Sequence, residues 1–178
     1  CTDIILQHGD IEDIRTDFGI MTEEIDREEL LLEVIRELVG QGFDFQREDI
    51  RFLPKITSFM EQCLRIEKPP EPDSDLNRVK LLFYHYVERM KRTGRIDYPG
   101  LLYFAERLLH NKHIQKHYQV VYKYVCVDEY QDTNLAQFNI LVKLVPAKSP
   151  NLLVVADDDQ ILYQWNGASP ERLKQIQE

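Results

Sequence analysis

Val125 to Asn134 reads VCVDEYQDTN, and Leu152 to Ala168 reads LLVVADDDQILYQWNGA. Each stretch begins with a short apolar run, mostly β-branched, and passes abruptly into carboxylates. Such a run, bounded by polar residues, predicts a strand buried on both faces, as in a parallel sheet under helices. Two parallel strands are therefore expected, near residues 124–128 and 152–156. In open α/β sheets, ligands collect at the carboxyl ends of the strands. Asp128, Glu129, Asp132, Asp157 and Gln160 are accordingly expected to share one rim.

A bare Asp-Glu pair after a strand is commonly no more than a solvated loop or a helix N-cap. Here the pair is extended to DEYQDTN, and the second acidic strand end carries Gln160, Tyr163, Trp165 and Gly167-Ala168 at fixed offsets. A Mg-nucleotide site needs a hard oxygen ligand, usually reached through metal-bound water, and a second group that orients the attacking water. An Asp at the end of a strand supplies the first, and an adjacent Glu the second.

Asp128 to Asn134 resembles the second helicase motif, the Walker B segment, of the UvrD/Rep/PcrA-type superfamily 1 DNA helicases. Ala156 to Ala168, ADDDQILYQWNGA, resembles their third motif, commonly written GDxxQSIYRWRGA. The resemblance implies that Asp128 holds Mg²⁺ through water and that Glu129 is the general base for attack on the γ-phosphate of ATP. It implies that Gln160 senses that phosphate, that Gln131 and Asp132 support the nucleotide site or its interdomain contacts, and that Asp157 belongs to the nucleotide site. Tyr163, Trp165 and Asn166 then face single-stranded or partly duplex DNA, where aromatic rings stack on bases for roughly 1–3 kcal/mol each. The segment Ile96 to Leu102 matches a family stretch, close to the bound strand, that often reads DFDDLL; Tyr98 falls on its aromatic and is by that resemblance a further DNA contact, while Pro99 and Gly100 replace its two carboxylates. In the third motif Ala156 replaces a common Gly, Ile161 a frequent Ser, and Gln164 and Asn166 two frequent arginines. The last change removes a cation suited to phosphate contact or stacking.

The remaining sequence sets bounds on this reading. With 178 residues and 43% hydrophobic content, the chain can bury one good-sized core, or make up one and a half domains. No apolar run approaches the roughly 18 residues that span a membrane, and the N-terminus shows no signal pattern. Cys1, Cys63 and Cys126 are scattered, with no CxxC spacing, which fits reduced thiols in a cytoplasmic protein. A formal net charge of -9 ordinarily argues against nucleic acid as a partner, although an acidic protein can carry a locally basic face. The chain starts with Cys and contains no GxxxxGK[ST] loop, so it is expected to be an internal piece of a larger protein. Such a piece is expected to hydrolyse no ATP and unwind no DNA by itself.

Taken in order, Thr2 to His8 reads as a helix closed by Gly9, followed by an irregular connection with an extended Phe18-Gly19-Ile20. Thr22 is the expected N-cap of a helix whose apolar face is Ile25, Leu31, Leu32, Ile35, Leu38 and Val39, ended by Gly40 and Gly42. A helical region from Arg47 to Ile66 is interrupted or restarted at Pro54. Lys68 to Asp75, KPPEPDSD, is an exposed loop, and Ser74 or Asp75 caps the helix after it. That helix buries Leu76, Val79, Leu82, Phe83, Tyr86, Val87 and Met90 and ends at Gly94; the next starts at Asp97-Tyr98-Pro99. His110, His113 and His117 read as a solvated face rather than metal ligands.

The expected fold is α/β and predominantly helical, a partial RecA-like P-loop NTPase domain with an inserted all-α subdomain. By resemblance, residues 1–20 belong to RecA-like domain 1A, 21–92 to helical subdomain 1B, and 93–178 to domain 1A again. The function implied is that of a fragment of an ATP-dependent helicase moving 3′ to 5′ on single strands in DNA repair, replication or recombination. Two alternatives stay open: the ATPase core of a helicase–nuclease subunit, and a non-catalytic interaction module that keeps the fold.

Overall fold

The computed structural model describes residues 1–146 and 151–156, which are mostly helical. In chain order the elements are α1 (Thr2–His8), β1 (Gly19–Met21), α2 (Glu24–Gly40), α3 (Leu53–Glu61), α4 (Asp75–Thr93), β2 (Arg95–Asp97) and α5 (Tyr98–Leu108). They continue with α6 (Lys112–Val121), β3 (Val125–Val127), α7 (Leu135–Leu144) and β4 (Leu152–Val154). Two small parallel sheets result: β1 pairs with β2 in the register Gly19↔Arg95, and β3 with β4 in the register Val125↔Leu152. Among the described residues no helix is long and apolar enough to cross a membrane. The chain divides into two compact units, Cys1–Phe104 and one beginning at Ala105, so the division falls within α5.

In the first unit, α2, α3 and α4 supply the apolar core. Leu30, Leu31, Val34, Ile35 and Leu38 of α2 are buried, as are Ile56, Phe59 and Met60 of α3. From α4 come Val79, Leu81, Leu82, Phe83, Tyr86, Val87 and Met90. Phe59 and Phe83 meet edge to face at 5.7 Å between centroids, and Phe83 and Tyr103 at 5.8 Å. Each fully buried Leu or Phe contributes about 1.5–3 kcal/mol of transfer free energy. The boundaries follow local chemistry. Ser74 accepts the Asn77 N–H as the N-cap of α4, and Gly94 ends it at φ +66°, where a side chain would be strained. Pro54 stands in the first turn of α3, so the break there is a fresh start after a 3₁₀ turn at Arg47–Phe52.

Several expectations shift. The cap of α2 is Glu23, in extended backbone and with no side-chain cap bond, rather than Thr22. Ile25 is 59% and Val39 47% exposed, because the buried stripe of α2 is centred on Leu30, Leu31, Val34, Ile35 and Leu38. Leu76 sits in the first turn of α4 and is exposed, since the core begins one turn later at Val79. α1 runs on through Gly9 into a 3₁₀ turn, Gly9–Glu12, with right-handed backbone at Gly9; the left-handed stop is Asp13.

In the second unit, Ile114 and Tyr118 of α6 and Ala136, Ile140 and Leu141 of α7 are buried. The amides of Gln115 and Gln119 both donate to the Lys143 carbonyl, at 3.1 and 2.8 Å, satisfying an otherwise orphaned acceptor at the end of α7. The strands β3 and β4 are where expected and parallel, but they are not buried on both faces. Cys126 and Leu153 are paired neighbours and both exposed, while Val125, Val127, Leu152 and Val154 are half-buried. With only two strands paired among the described residues, the sheet has one face that nothing described here covers.

Candidate active site

The site is built at the carboxyl end of β3. The strand is extended by two backbone bonds, Val155 N–H to the Val127 carbonyl at 2.8 Å and Tyr130 N–H to the Val155 carbonyl at 3.1 Å. Asp128 and Glu129 follow the strand directly and both are exposed. Asp128 Oδ1 accepts the N–H of Glu129 at 3.0 Å. Glu129 is left-handed, φ 51° and ψ 41°, a conformation uncommon for a side chain of this size. That reversal sends the chain into a 3₁₀ turn, Tyr130–Asp132, and then to Asn134, which caps α7. Asn134 and Gln137 form a reciprocal capping box, with bonds of 3.0 and 2.9 Å. The turn is thus pinned on one side by the sheet and on the other by a capped helix.

Two side chains below the carboxylates complete the arrangement. Gln131 is 3% exposed, and its Nε2 donates to Glu129 Oε2 at 2.6 Å. The buried amide therefore holds the exposed carboxylate in one orientation. Tyr130 is 2% exposed and anchors the turn in the core. Asp132 has one carboxylate oxygen, Oδ1, buried without a hydrogen-bond partner. A buried acceptor left unpaired costs free energy and marks a place where a further donor belongs.

Among the described residues no group of three or more His, Cys, Asp or Glu side chains gathers to hold a metal ion, so the hard cation that the sequence pattern implies would rest on one carboxylate and its own waters. Asp128 supplies an exposed carboxylate at a strand end, and no described residue bonds its second oxygen. Such oxygens suit Mg²⁺, bound through its retained waters. Asp128, Glu129, Gln131 and Asp132 are thus brought together in one turn. Tyr98 lies in the first unit, at the start of α5, and is 58% exposed. Asp157, Gln160, Tyr163, Trp165 and Asn166, the rest of the expected set, lie outside the described residues.

The sequence does not signal a second engaged carboxylate, Asp97. Asp97, with 0% exposure, accepts from Arg27 Nε at 3.0 Å, from the Tyr86 hydroxyl at 3.1 Å and from the Gly100 N–H at 2.8 Å. Burial and the neighbouring Asp97 carboxylate push the Tyr86 phenol far above its usual range, so it stays a donor at any physiological pH. The Asp-x-Pro start of a helix signals a cap at Asp97 but not its burial, because Arg27 is distant in sequence.

Comparison with known proteins adds an independent observation. The family model for the UvrD/REP helicase N-terminal domain matches residues 1–178. The chain belongs to that family. DNA helicase II of Rickettsia typhi is 32% identical over 146 residues, 77% of this chain and 22% of the relative. The ATP-dependent DNA helicase PcrA of Staphylococcus epidermidis is 28% identical over 182 residues, 100% of this chain and 24% of the relative. The ATP-dependent DNA helicase Rep of Escherichia coli is 39% identical over 89 residues, 49% of this chain and 13% of the relative. The chain therefore spans under a quarter of the length of these UvrD-type relatives.

Proposed function

We propose that this chain is the Walker B-bearing part of an ATP-dependent DNA helicase that moves 3′ to 5′ on single-stranded DNA. Residues 1–20 and 93–178 would form part of a RecA-like domain, with 21–92 as its inserted helical subdomain. The observation that carries the reading is the turn after β3. It presents an exposed Glu129 whose carboxylate is oriented by the buried Gln131 amide, beside an Asp128 whose second oxygen no described residue bonds.

In this reading Asp128 holds Mg²⁺ through water. Bound Mg²⁺ supplies neutralisation of the charge that develops on the transferred phosphoryl group. Glu129 accepts a proton from the attacking water at its carboxylate, and the bond from Gln131 keeps that carboxylate from turning away. Positioned general bases contribute typically 10²–10⁴-fold. Tyr98 is an exposed ring at the start of a helix and would stack on a base of the strand, a contact that reads no sequence.

The test is ATP hydrolysis by the full-length protein carrying this chain, with and without single-stranded DNA, for wild type and Glu129→Gln. We expect DNA to raise turnover in the wild type, and the substitution to lower it by about 100-fold or more with nucleotide binding retained. A wild type that binds DNA yet hydrolyses nothing would overturn the reading in favour of an interaction module.

A further inference from the structure

The cluster around Asp97 takes no part in the chemistry above. Asp97 closes β2; its Oδ2 accepts from Arg27 of α2 and Tyr86 of α4, and its Oδ1 from the N–H of Gly100 in the first turn of α5. Arg27 also donates to the Thr57 hydroxyl of α3, and Thr57 in turn donates to the Leu53 carbonyl at 3.1 Å. One carboxylate thereby ties three helices of the first unit to the first turn of a fourth.

Capping α5 does not require this. At α4 the exposed Ser74 does the same work with a hydroxyl. Burying an ion pair adds little net stability, because loss of hydration offsets the attraction; its best-attested gain is a single geometry. What is held in that geometry is the turn Tyr98-Pro99-Gly100. Pro99 has a fixed φ and no N–H to satisfy. A Cβ on Gly100 would lie 2.8 Å from Asp97 Oδ1 and 2.9 Å from Met90 Sδ, so the turn is seated directly on the carboxylate. From this seat the Tyr98 ring, 58% exposed, is offered outward. A stacking platform works only at a defined orientation, and the buried node defines it.

We infer that Asp97 is a positioning residue for Tyr98, fixing the ring for stacking on a single-stranded base. The inference rests on the reading of Tyr98 as a DNA contact. Its test measures the oligo(dT) concentration that half-saturates stimulation of ATP hydrolysis by the full-length protein. The variants are Tyr98→Ala, Asp97→Asn, Tyr86→Phe and the double Tyr98→Ala/Asp97→Asn. Tyr98→Ala should raise that concentration about tenfold, as expected for one lost stack. Asp97→Asn should give most of the same rise while turnover at saturating oligo(dT) stays within about twofold of wild type. The double variant should be no worse than Tyr98→Ala alone. Additive losses in the double variant, or a fall in saturated turnover matching the loss of affinity, would reduce Asp97 to a structural role.

Tyr86→Phe removes a single bond of the node and keeps the core volume, so it serves where Asp97→Asn does not fold. An unmoved half-saturation in Tyr86→Phe, beside a shifted one in Tyr98→Ala, also overturns the inference. If Tyr98→Ala itself changes nothing, the DNA-contact reading of Tyr98 is what fails.

Discussion

Asp97 and Asp128 begin alike, each a carboxylate at the end of a three-residue strand in a small parallel sheet, and they reach opposite states. Asp97 has no exposed surface, and both its oxygens are engaged by Arg27, Tyr86 and Gly100. Asp128 is exposed and, among the described residues, bonds only its neighbour's N–H. The difference lies in what surrounds the strand end. Around β2, two packed helices, α2 and α4, bring a guanidinium and a phenol to the carboxylate, so its charge is satisfied inside the fold. After β3 the backbone turns left-handed at Glu129 and faces both carboxylates outward. A charge fully satisfied internally fixes geometry, whereas one left partly unsatisfied is available to a ligand.

The sharpest way to break the comparison is to remove the partner of the buried charge. Arg27→Met should destabilise the chain by about 3–5 kcal/mol, because Asp97 would remain buried without its cation. Urea unfolding followed by circular dichroism measures this, and a loss below about 1 kcal/mol would show that water reaches Asp97. At the other strand end the expected effect is small. Glu129→Gly should change stability by no more than about 1 kcal/mol, since relief of the left-handed backbone at Glu129 offsets the loss of an acceptor for the buried Gln131 amide. The same substitution should abolish ATP turnover in the full-length protein. A clearly lower urea midpoint would mean that the Glu129–Gln131 bond supports the fold rather than the chemistry.

The smallest effect concerns a third carboxylate, Glu106, which is buried like Asp97 but paired with Lys143 and the half-exposed His110. Burial pushes Glu106 up, but hydrogen bonds from Lys143 Nζ at 3.0 Å and His110 Nε2 at 2.7 Å outweigh it and hold the carboxyl below its usual value. With the folded value depressed, this pair contributes stability at and above the ordinary Glu range of about 4.3. That contribution is lost as pH falls from there through the folded value. Glu106→Gln should therefore lower the urea midpoint at neutral pH and converge with wild type in acid. Parallel curves across the whole range would argue against it.

Much of this was legible in the sequence because the signals were local. The helix ends at Ser74, Gly94 and Pro54 follow from backbone chemistry confined to a few residues. The pairing of β3 with β4 follows from two apolar runs that each end in carboxylates. Errors arose where burial depended on distant partners. Ile25 fits a helical face as well as Leu30 does, yet only packing decides that Leu30 is at 0% and Ile25 at 59% exposure. The burial of Asp97 is hidden for the same reason: its cation lies on α2 and its phenol on α4, and no spacing rule links them. The left-handed turn at Glu129 was equally hidden, since Glu is not a residue that announces positive φ.

The pairing of β1 with β2 has a mechanical consequence. The chain leaves the sheet at Met21 to build α2, α3 and α4 and re-enters it at Arg95 on the neighbouring strand. The helical lobe is therefore hung from two adjacent, parallel tethers rather than strung between distant points. A load applied to the lobe reaches the sheet through both tethers at once. The Arg27–Asp97 bond acts between them as a brace, running from the helix just beyond the first tether to the last residue of β2.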